Sequence, residues 1–384
     1  MVFFSRQQVS CGIAGFLDLS VLDSPLDQFK QYLQTTSLEN QGIKSFLQKE
    51  INLEQYGGGL DFLHKGKQLC QELTTLTGRT LLKEDPALQK AVQNYESQLS
   101  LFLEEEEQVR EKCATQLSLK ENEKINQVLI QLKDIQWQVK IDILGNLPKI
   151  ESLAHSSTKA YRHYARINAI LNTIDRLEIR GRDSAGIGLQ IRFKTKPDYQ
   201  TFVQTHQEAL ETRSKIPDFS SGSIRLFPQN GSLHFVFKTA KAVGRLGENV
   251  QHLRQSIEKD PLLQEILSEK EITFQVISHT RWASNGVISE PNCHPINNEV
   301  QYNGLSIHFP EFQNSHYPNA HQTHLQVVLN GDIDNYQQLR AEFEKGLSKI
   351  APAVTTDAKI ITLQIQLYLA QDYSLQDAFR LALN

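Results

Sequence analysis

The sequence predicts an α+β domain, or a layered α/β/α one, interrupted by a long helical insertion. A short apolar, glycine-containing run opens near Cys11, about sixty residues after Pro86 carry helical spacing, and later strand-like runs alternate with polar loops before closing helices. At 384 residues there is room for about two or three domains. Forty basic against 44 acidic residues leave a net charge of −4, so no basic field points to nucleic acid as a partner. Hydrophobic residues at 39% and charged ones at 22% describe a folded, globular chain. No apolar run approaches the roughly 20 residues of a membrane span, and Met1 to Ser10 is too short for a secretory signal. The expected setting is the cytoplasm, without a membrane partner. Cys11, Cys70, Cys113 and Cys293 are too scattered for a disulfide framework or a paired metal motif, and no metal or cofactor is expected.

Val9 to Leu19 reads as a short buried strand beginning at or just before Cys11. From Val21 the texture turns rich in glutamine and leucine, broken by Gly57-Gly58-Gly59 and Asp85-Pro86. Ile125, Val128, Leu129, Leu132, Ile135 and Val139 recur at three and four and form one helical stripe. Glu104 to Glu107 and Lys120 to Lys124 read as a solvated face of an antiparallel helical hairpin or small bundle; a coiled-coil arm would need more uninterrupted heptads. Gly145 to Pro148 reads as the end of that region. A helix is expected over Ser157 to Glu178, then strands over Ala185–Phe193, Leu233–Phe237, Ile272–Ser278 and Leu325–Leu329. A short helix near Glu248–Glu258 and two closing helices, Asp357–Ala370 and Ser374–Leu383, complete the pattern. Because the chain stops inside an apparent helix, it reads as the N-terminal piece of something longer.

Four stretches could carry chemistry. Cys11 opens Cys-Gly-Ile-Ala-Gly, though a lone cysteine in an apolar strand is usually just a small buried residue. Arg180-Gly-Arg-Asp-Ser-Ala-Gly-Ile reads as a turn into a strand. In Ser278-His-Thr-Arg-Trp-Ala-Ser-Asn-Gly, an arginine placed after a strand can make a paired, planar bond to a carboxylate. Asn330-Gly331 in Val-Val-Leu-Asn-Gly-Asp-Ile-Asp-Asn-Tyr taken alone is a turn signal.

In order and spacing, these four resemble the glutaminase domain of the glutamine:fructose-6-phosphate aminotransferases (glucosamine-6-phosphate synthases), a branch of the class II glutamine amidotransferases with the N-terminal nucleophile (Ntn) hydrolase fold. The resemblance covers about residues 11 to 18, 170 to 191, 275 to 298 and 326 to 384, and leaves 19 to 157 without a counterpart. It implies a layered α/β/β/α sandwich over 11–384, incomplete at its C-terminus, with 19–157 as a helical insertion and 1–10 as a leader or propeptide. The implied reaction is hydrolysis of the glutamine side-chain amide through a thioester on an N-terminal cysteine. Ammonia would be delivered to fructose 6-phosphate, in amino sugar synthesis, by a C-terminal isomerase region absent here, in a homo-oligomer. Cys11 would be the nucleophile with its own α-amine as base. A thiol near about 8.5 beside an amine near about 7.7 to 8.0 suits proton exchange at neutral pH. Asn330 and Gly331 would form the oxyanion hole, Arg281 would bind the substrate carboxylate, and Asp357 its ammonium. Trp282 and Ser284 would lie in a loop folding over glutamine.

Departures from the family pattern are specific. Ten residues precede Cys11, so activity demands cleavage between Ser10 and Cys11. Asn285 stands where the family commonly has His and Arg182 where it has Tyr, while Cys293 replaces a small residue and is read as packing. The rival enzyme is the amidophosphoribosyltransferase branch. The non-enzymatic alternative is a silent glutaminase-like module whose insertion binds a partner.

Overall fold

A computed structural model describes residues 12–17, 32–33, 37–154, 157–241, 244–283, 286–302, 305–308, 324–346 and 349–383. Cys11 and Ser284 lie outside them, as do residues 1–10 and Asn285. The chain forms two compact units, residues 19–165 and residues 1–18 with 166–384.

The first unit is helical, with α1 (Ile43–Leu47), α2 (Gly59–Thr74), α3 (Leu76–Glu84), α4 (Pro86–Cys113), α5 (Leu119–Trp137) and α6 (Leu147–Ala154). Local signals start these helices. Asp85 Oδ1 accepts the Ala87 and Leu88 N–H groups ahead of α4, whose first residue is Pro86, and Ser118 and Glu121 form a reciprocal capping box on α5. The stripe Ile125, Val128, Leu129, Leu132, Ile135 and Val139 is buried, as its spacing predicts. Two expectations fail here. Gly145 to Pro148 does not end the helical run: a π-turn over Gln138–Ile143 leads into α6, with Pro148 in the first turn, where its missing N–H costs nothing. Glu106 is not solvated, since it follows Leu99, Phe102 and Leu103 onto the inner face of α4. There its carboxylate accepts the Tyr56 hydroxyl at 2.6 Å and the Ile43 N–H at 3.1 Å. Burial raises its pKa.

The second unit is mixed helix and sheet, as the α+β expectation has it. Helix α7 (Thr158–Leu177) leads the chain into it. Strands β1 (Gly12–Leu17), β2 (Ser184–Phe193), β3 (Ile224–Phe227), β4 (Ser232–Thr239) and β5 (Ile272–Arg281) form one antiparallel sheet in the order β1-β5-β2-β4-β3. Helices α8 (Lys196–Thr205) and α9 (Gln207–Ser214) follow β2, and α10 (Glu248–Glu258) and α11 (Pro261–Glu269) separate β4 from β5. Short ladders β6 (Ile296–Asn297) with β9 (Gln326–Val327) and β7 (Glu299–Tyr302) with β8 (Leu305–His308) come next, then α12 (Tyr336–Phe343), α13 (Lys359–Leu369) and α14 (Leu375–Leu383). β5 runs three residues beyond its expected end, while the strand expected over Leu325–Leu329 shrinks to β9.

Alternation gives the large sheet unlike faces. Ala185, Ile187, Leu189, Ile191 and Phe193 share one face with Phe235, Phe237, Phe274 and Val276, all buried. The opposite face carries Ser184, Gly186, Gly188, Gln190 and Arg192 beside Arg281, His279, His234 and Lys238. His294, Pro295 and Gln326 lie closely over this polar face. A Cβ at Gly186 would collide with the His294 backbone carbonyl, so glycine is required there, while one at Gly188 would force the Gln326 side chain to move. A chain of polar side-chain contacts fastens the same face. His324 Nε2 lies 2.7 Å from Asp218 Oδ2 and His324 Nδ1 lies 2.9 Å from His234 Nδ1, while Arg225 pairs with Glu299 at 2.5 Å. Burial pushes the Asp218 pKa up, but His324 and Arg225 outweigh it and hold the carboxyl well below its usual value. A second apolar cluster, including Ile333, Leu339, Ile350, Val354, Ile360, Leu363 and Ala378, joins α12, α13 and α14.

Candidate functional site

Arg281 and Trp282, two of the residues singled out in the sequence, lie at the end of β5. Arg281 is its last residue, paired with Ser184, the first of β2. The turn before β2 is anchored from behind: Glu178, fully buried, accepts the Gly247 N–H at 2.5 Å and the Val250 N–H at 3.2 Å at the start of α10, where a carboxylate also meets the positive end of the helix. The Arg182 carbonyl accepts the Gly244 N–H at 3.1 Å. Asp183 then clasps the end of β5. Its N–H donates to the Arg281 carbonyl at 3.0 Å and its Oδ2 accepts the Ala283 N–H at 2.9 Å. Arg281 is 4% exposed and donates from Nη1 to the Val287 carbonyl at 3.4 Å, while Trp282 is half exposed.

The loop beyond Trp282 meets the segment before α13. Gly286 has φ +81°, and the Val287 N–H donates to Thr355 Oγ1 at 3.0 Å. Asn292, fully buried, accepts the Thr355 and Thr356 N–H groups at 2.7 and 2.9 Å. Its amide nitrogen donates to Ser289 Oγ at 2.8 Å and to the Ala353 carbonyl at 3.1 Å. Asp357 follows. Its Oδ2 accepts the Ile333 N–H at 2.8 Å and its Oδ1 the Ala358 N–H at 3.0 Å. Burial raises the pKa of this carboxyl, opposed by those backbone donors. The Thr356 hydroxyl also donates to Oδ1, at 3.4 Å.

The turn Asn330-Gly331 sits between these anchors. Asn330 is exposed, and Gly331 has φ +153°, a conformation that favours glycine. Leu329, just before, donates its N–H to His294 Nδ1 at 3.1 Å, and the His294 ring stacks on His279 with centroids 4.4 Å apart. Burial lowers the pKa of both rings, that of His279 to about 3, so both are neutral in the folded protein near pH 7. Cys293 is fully buried and donates to the Thr239 and Ser289 carbonyls, and burial raises its thiol pKa.

Arg281, Asp357 and the Asn330-Gly331 turn are therefore tied into one bonded network although up to 76 residues separate them in sequence. Cys11 and Ser284 lie outside the described residues, but Gly12, which follows Cys11, pairs with Thr280, which precedes Arg281. Sequence reading assigned no role to Asn292, Thr355, Gly286 or His294, although all four lie within the regions of resemblance 275 to 298 and 326 to 384. Among the described residues, no group of three or more His, Cys, Asp or Glu side chains could hold a metal ion, and no helix is long and apolar enough to cross a membrane.

Part of the chain is similar to enzymes named glutamine–fructose-6-phosphate aminotransferase (isomerizing). It is 31% identical to that of Chlamydia pneumoniae over 128 residues, which are 33% of this chain and 17% of the relative. It is 29% identical to that of Staphylococcus epidermidis over 103 residues, 27% of this chain and 13% of the relative, and the Staphylococcus aureus enzyme gives the same figures. The match thus spans less than a fifth of the length of these relatives. No family model matches the chain, and no solved structure matches it significantly.

Proposed function

We propose that the chain carries a class II glutaminase that hydrolyses the side-chain amide of glutamine. The observation that carries this reading is the network joining Arg281, Asp357 and the Asn330-Gly331 turn beside the strand that begins one residue after Cys11. A glutaminase needs a nucleophile, a base, donors for the oxyanion, and a grip on the amino-acid end of its substrate.

In this reading residues 1–10 are removed and the freed α-amine of Cys11 takes the thiol proton. The sulfur attacks the amide carbon, forming the C–S bond. Negative charge gathers on the former carbonyl oxygen, where the Asn330 side-chain amide and the Gly331 N–H receive it. The C–N bond then breaks, ammonia leaves with the returned proton, and water hydrolyses the thioester to glutamate and free thiol. Arg281 takes the α-carboxylate of glutamine and Asp357 its α-ammonium, while Trp282 and Ser284 cover it. The fold is the four-layer Ntn sandwich, to which the closely covered polar sheet face lends support. The names of the relatives support fructose 6-phosphate as the ammonia acceptor; the reading also includes a homo-oligomer in the cytoplasm.

Intact mass of the purified protein and labelling by a glutamine-analogue electrophile test this. A chain starting at Cys11, labelled in wild type and unlabelled in Cys11→Ala, is expected; labelling elsewhere would refute the assignment. The ten residues before Cys11 favour one second reading, a silent module with its nucleophile capped, for which an unprocessed and unlabelled chain is the signature.

A further inference from the structure

Asn292 uses its whole hydrogen-bonding capacity, two acceptances and two donations, inside the protein. Three of those bonds reach the backbone of residues 353 to 356, which belongs to no helix or strand. The carboxamide stands in for the strand neighbour that this segment lacks. Thr355 carries the tie onward: its hydroxyl accepts the Val287 N–H, and its backbone packs against Gly286 so closely that a Cβ there would come within 3.1 Å of it. Val287 in turn receives Arg281, and Asp357 lies two residues beyond Thr355. The spacing between the guanidinium and the carboxylate is thus set through Asn292 and Thr355, neither of which carries a charge.

We infer that Asn292 and Thr355 are positioning residues that fix the separation of Arg281 from Asp357 and so make the site select an amino acid of glutamine's length; this rests on the glutaminase reading. Two opposite charges held on one network grip an α-amino acid at a set depth. How far the side-chain amide then reaches depends on that depth. Loosening either tie releases the segment bearing Asp357 from the loop that Arg281 holds. Glutamine loses its fit, while asparagine, one methylene shorter, has little fit to lose.

The test is calorimetric titration of the full chain with L-glutamine and L-asparagine, which needs no free amine on Cys11. Thr355→Val keeps the shape and removes the hydroxyl, Thr355→Ser keeps the hydroxyl, and Asn292→Ala removes the carboxamide. Thr355→Val and Asn292→Ala are expected to weaken glutamine about tenfold, the worth of one good hydrogen bond, and to narrow the preference over asparagine, while Thr355→Ser binds like wild type. If Asn292→Ala fails to fold, the Thr355 pair decides alone. Unchanged glutamine affinity, an equal loss for both amino acids, or a Thr355→Ser variant as weak as Thr355→Val would overturn the inference and leave the glutaminase reading standing. A wild-type chain beginning at Cys11 that binds no glutamine would overturn both.

Discussion

The Asp357 carboxylate accepts the Ile333 N–H at 2.8 Å, so the acid at the start of α13 holds the turn that presents Asn330 and Gly331. Its other oxygen is engaged by Ala358, one residue on, and the whole group is 4% exposed. Asp357→Asn replaces one accepting oxygen with an NH2 group, which must face either the Ile333 or the Ala358 N–H. A buried donor is left unanswered at a cost of about 1–3 kcal/mol. Urea titration of the variant should register that loss, and glutamine affinity should fall with it because the negative charge is gone. Wild-type stability in Asp357→Asn would mean that the turn is held by something else.

Arg281 is the counterpart at the other end of the network. Lysine in its place keeps the charge but loses the planar fork that a carboxylate can bind at two points. Arg281→Lys is expected to raise the glutamine KM by about tenfold or more and to leave kcat within about threefold, the pattern of an interaction made equally in ground and transition states. Steady-state glutaminase kinetics of a chain beginning at Cys11 separate the two constants, and an unchanged KM would remove Arg281 from the proposed substrate grip.

How much of this was legible beforehand differs by type of interaction. Periodicity exposed what periodicity controls: the stripe from Ile125 to Val139, the alternating strand β2, and helices α7 and α10 all appear near their expected bounds. Glu106 was misread because a charged run suggests solvent, whereas its position on the inner face of α4 and the Tyr56 hydroxyl decided its burial. Arg281 was expected in a loop, but the Asp183 N–H continues the ladder far enough to keep it in the strand. Asn292 and Thr355 were invisible for a different reason. Their bonds run from side chain to backbone across more than sixty residues, and no local pattern encodes such a partner. The motif residues could be listed in advance, but the ties that hold them at a given spacing could not.

Gly286 makes a prediction about the loop itself. At φ +81° an L side chain costs about 1–2 kcal/mol, and a Cβ would also lie 2.9–3.1 Å from Thr355 atoms, two of them backbone. Gly286→Ala should therefore destabilise the protein by more than the conformational cost alone and break the Val287 to Thr355 bond. Chemical denaturation measures the first effect, and weakened glutamine binding reports the second. A variant as stable as wild type would place the loop farther from Thr355 than the structure has it.

The stacked pair His279 and His294 sets the acid limit of the fold. Both rings are buried and neutral, with the His279 pKa lowered to about 3 against about 6.5 for an unfolded histidine. Between those values the unfolded chain binds a proton that the native ring refuses. Stability therefore rises with pH through this window, is fully present above about 6.5, and is lost as pH falls toward 3. The depressed Asp218 carboxyl acts in the same direction but only below the usual carboxylate range, so the onset belongs to the histidines. His279→Phe keeps a ring against His294 and removes one titrating group. Unfolding free energy measured from pH 7 to pH 4 should fall less steeply in this variant, by about one proton in the slope, whatever its absolute stability at pH 7. An unchanged slope would mean that His279 already takes up its proton in the native state, through a partner or a path to solvent that its buried, stacked position does not provide.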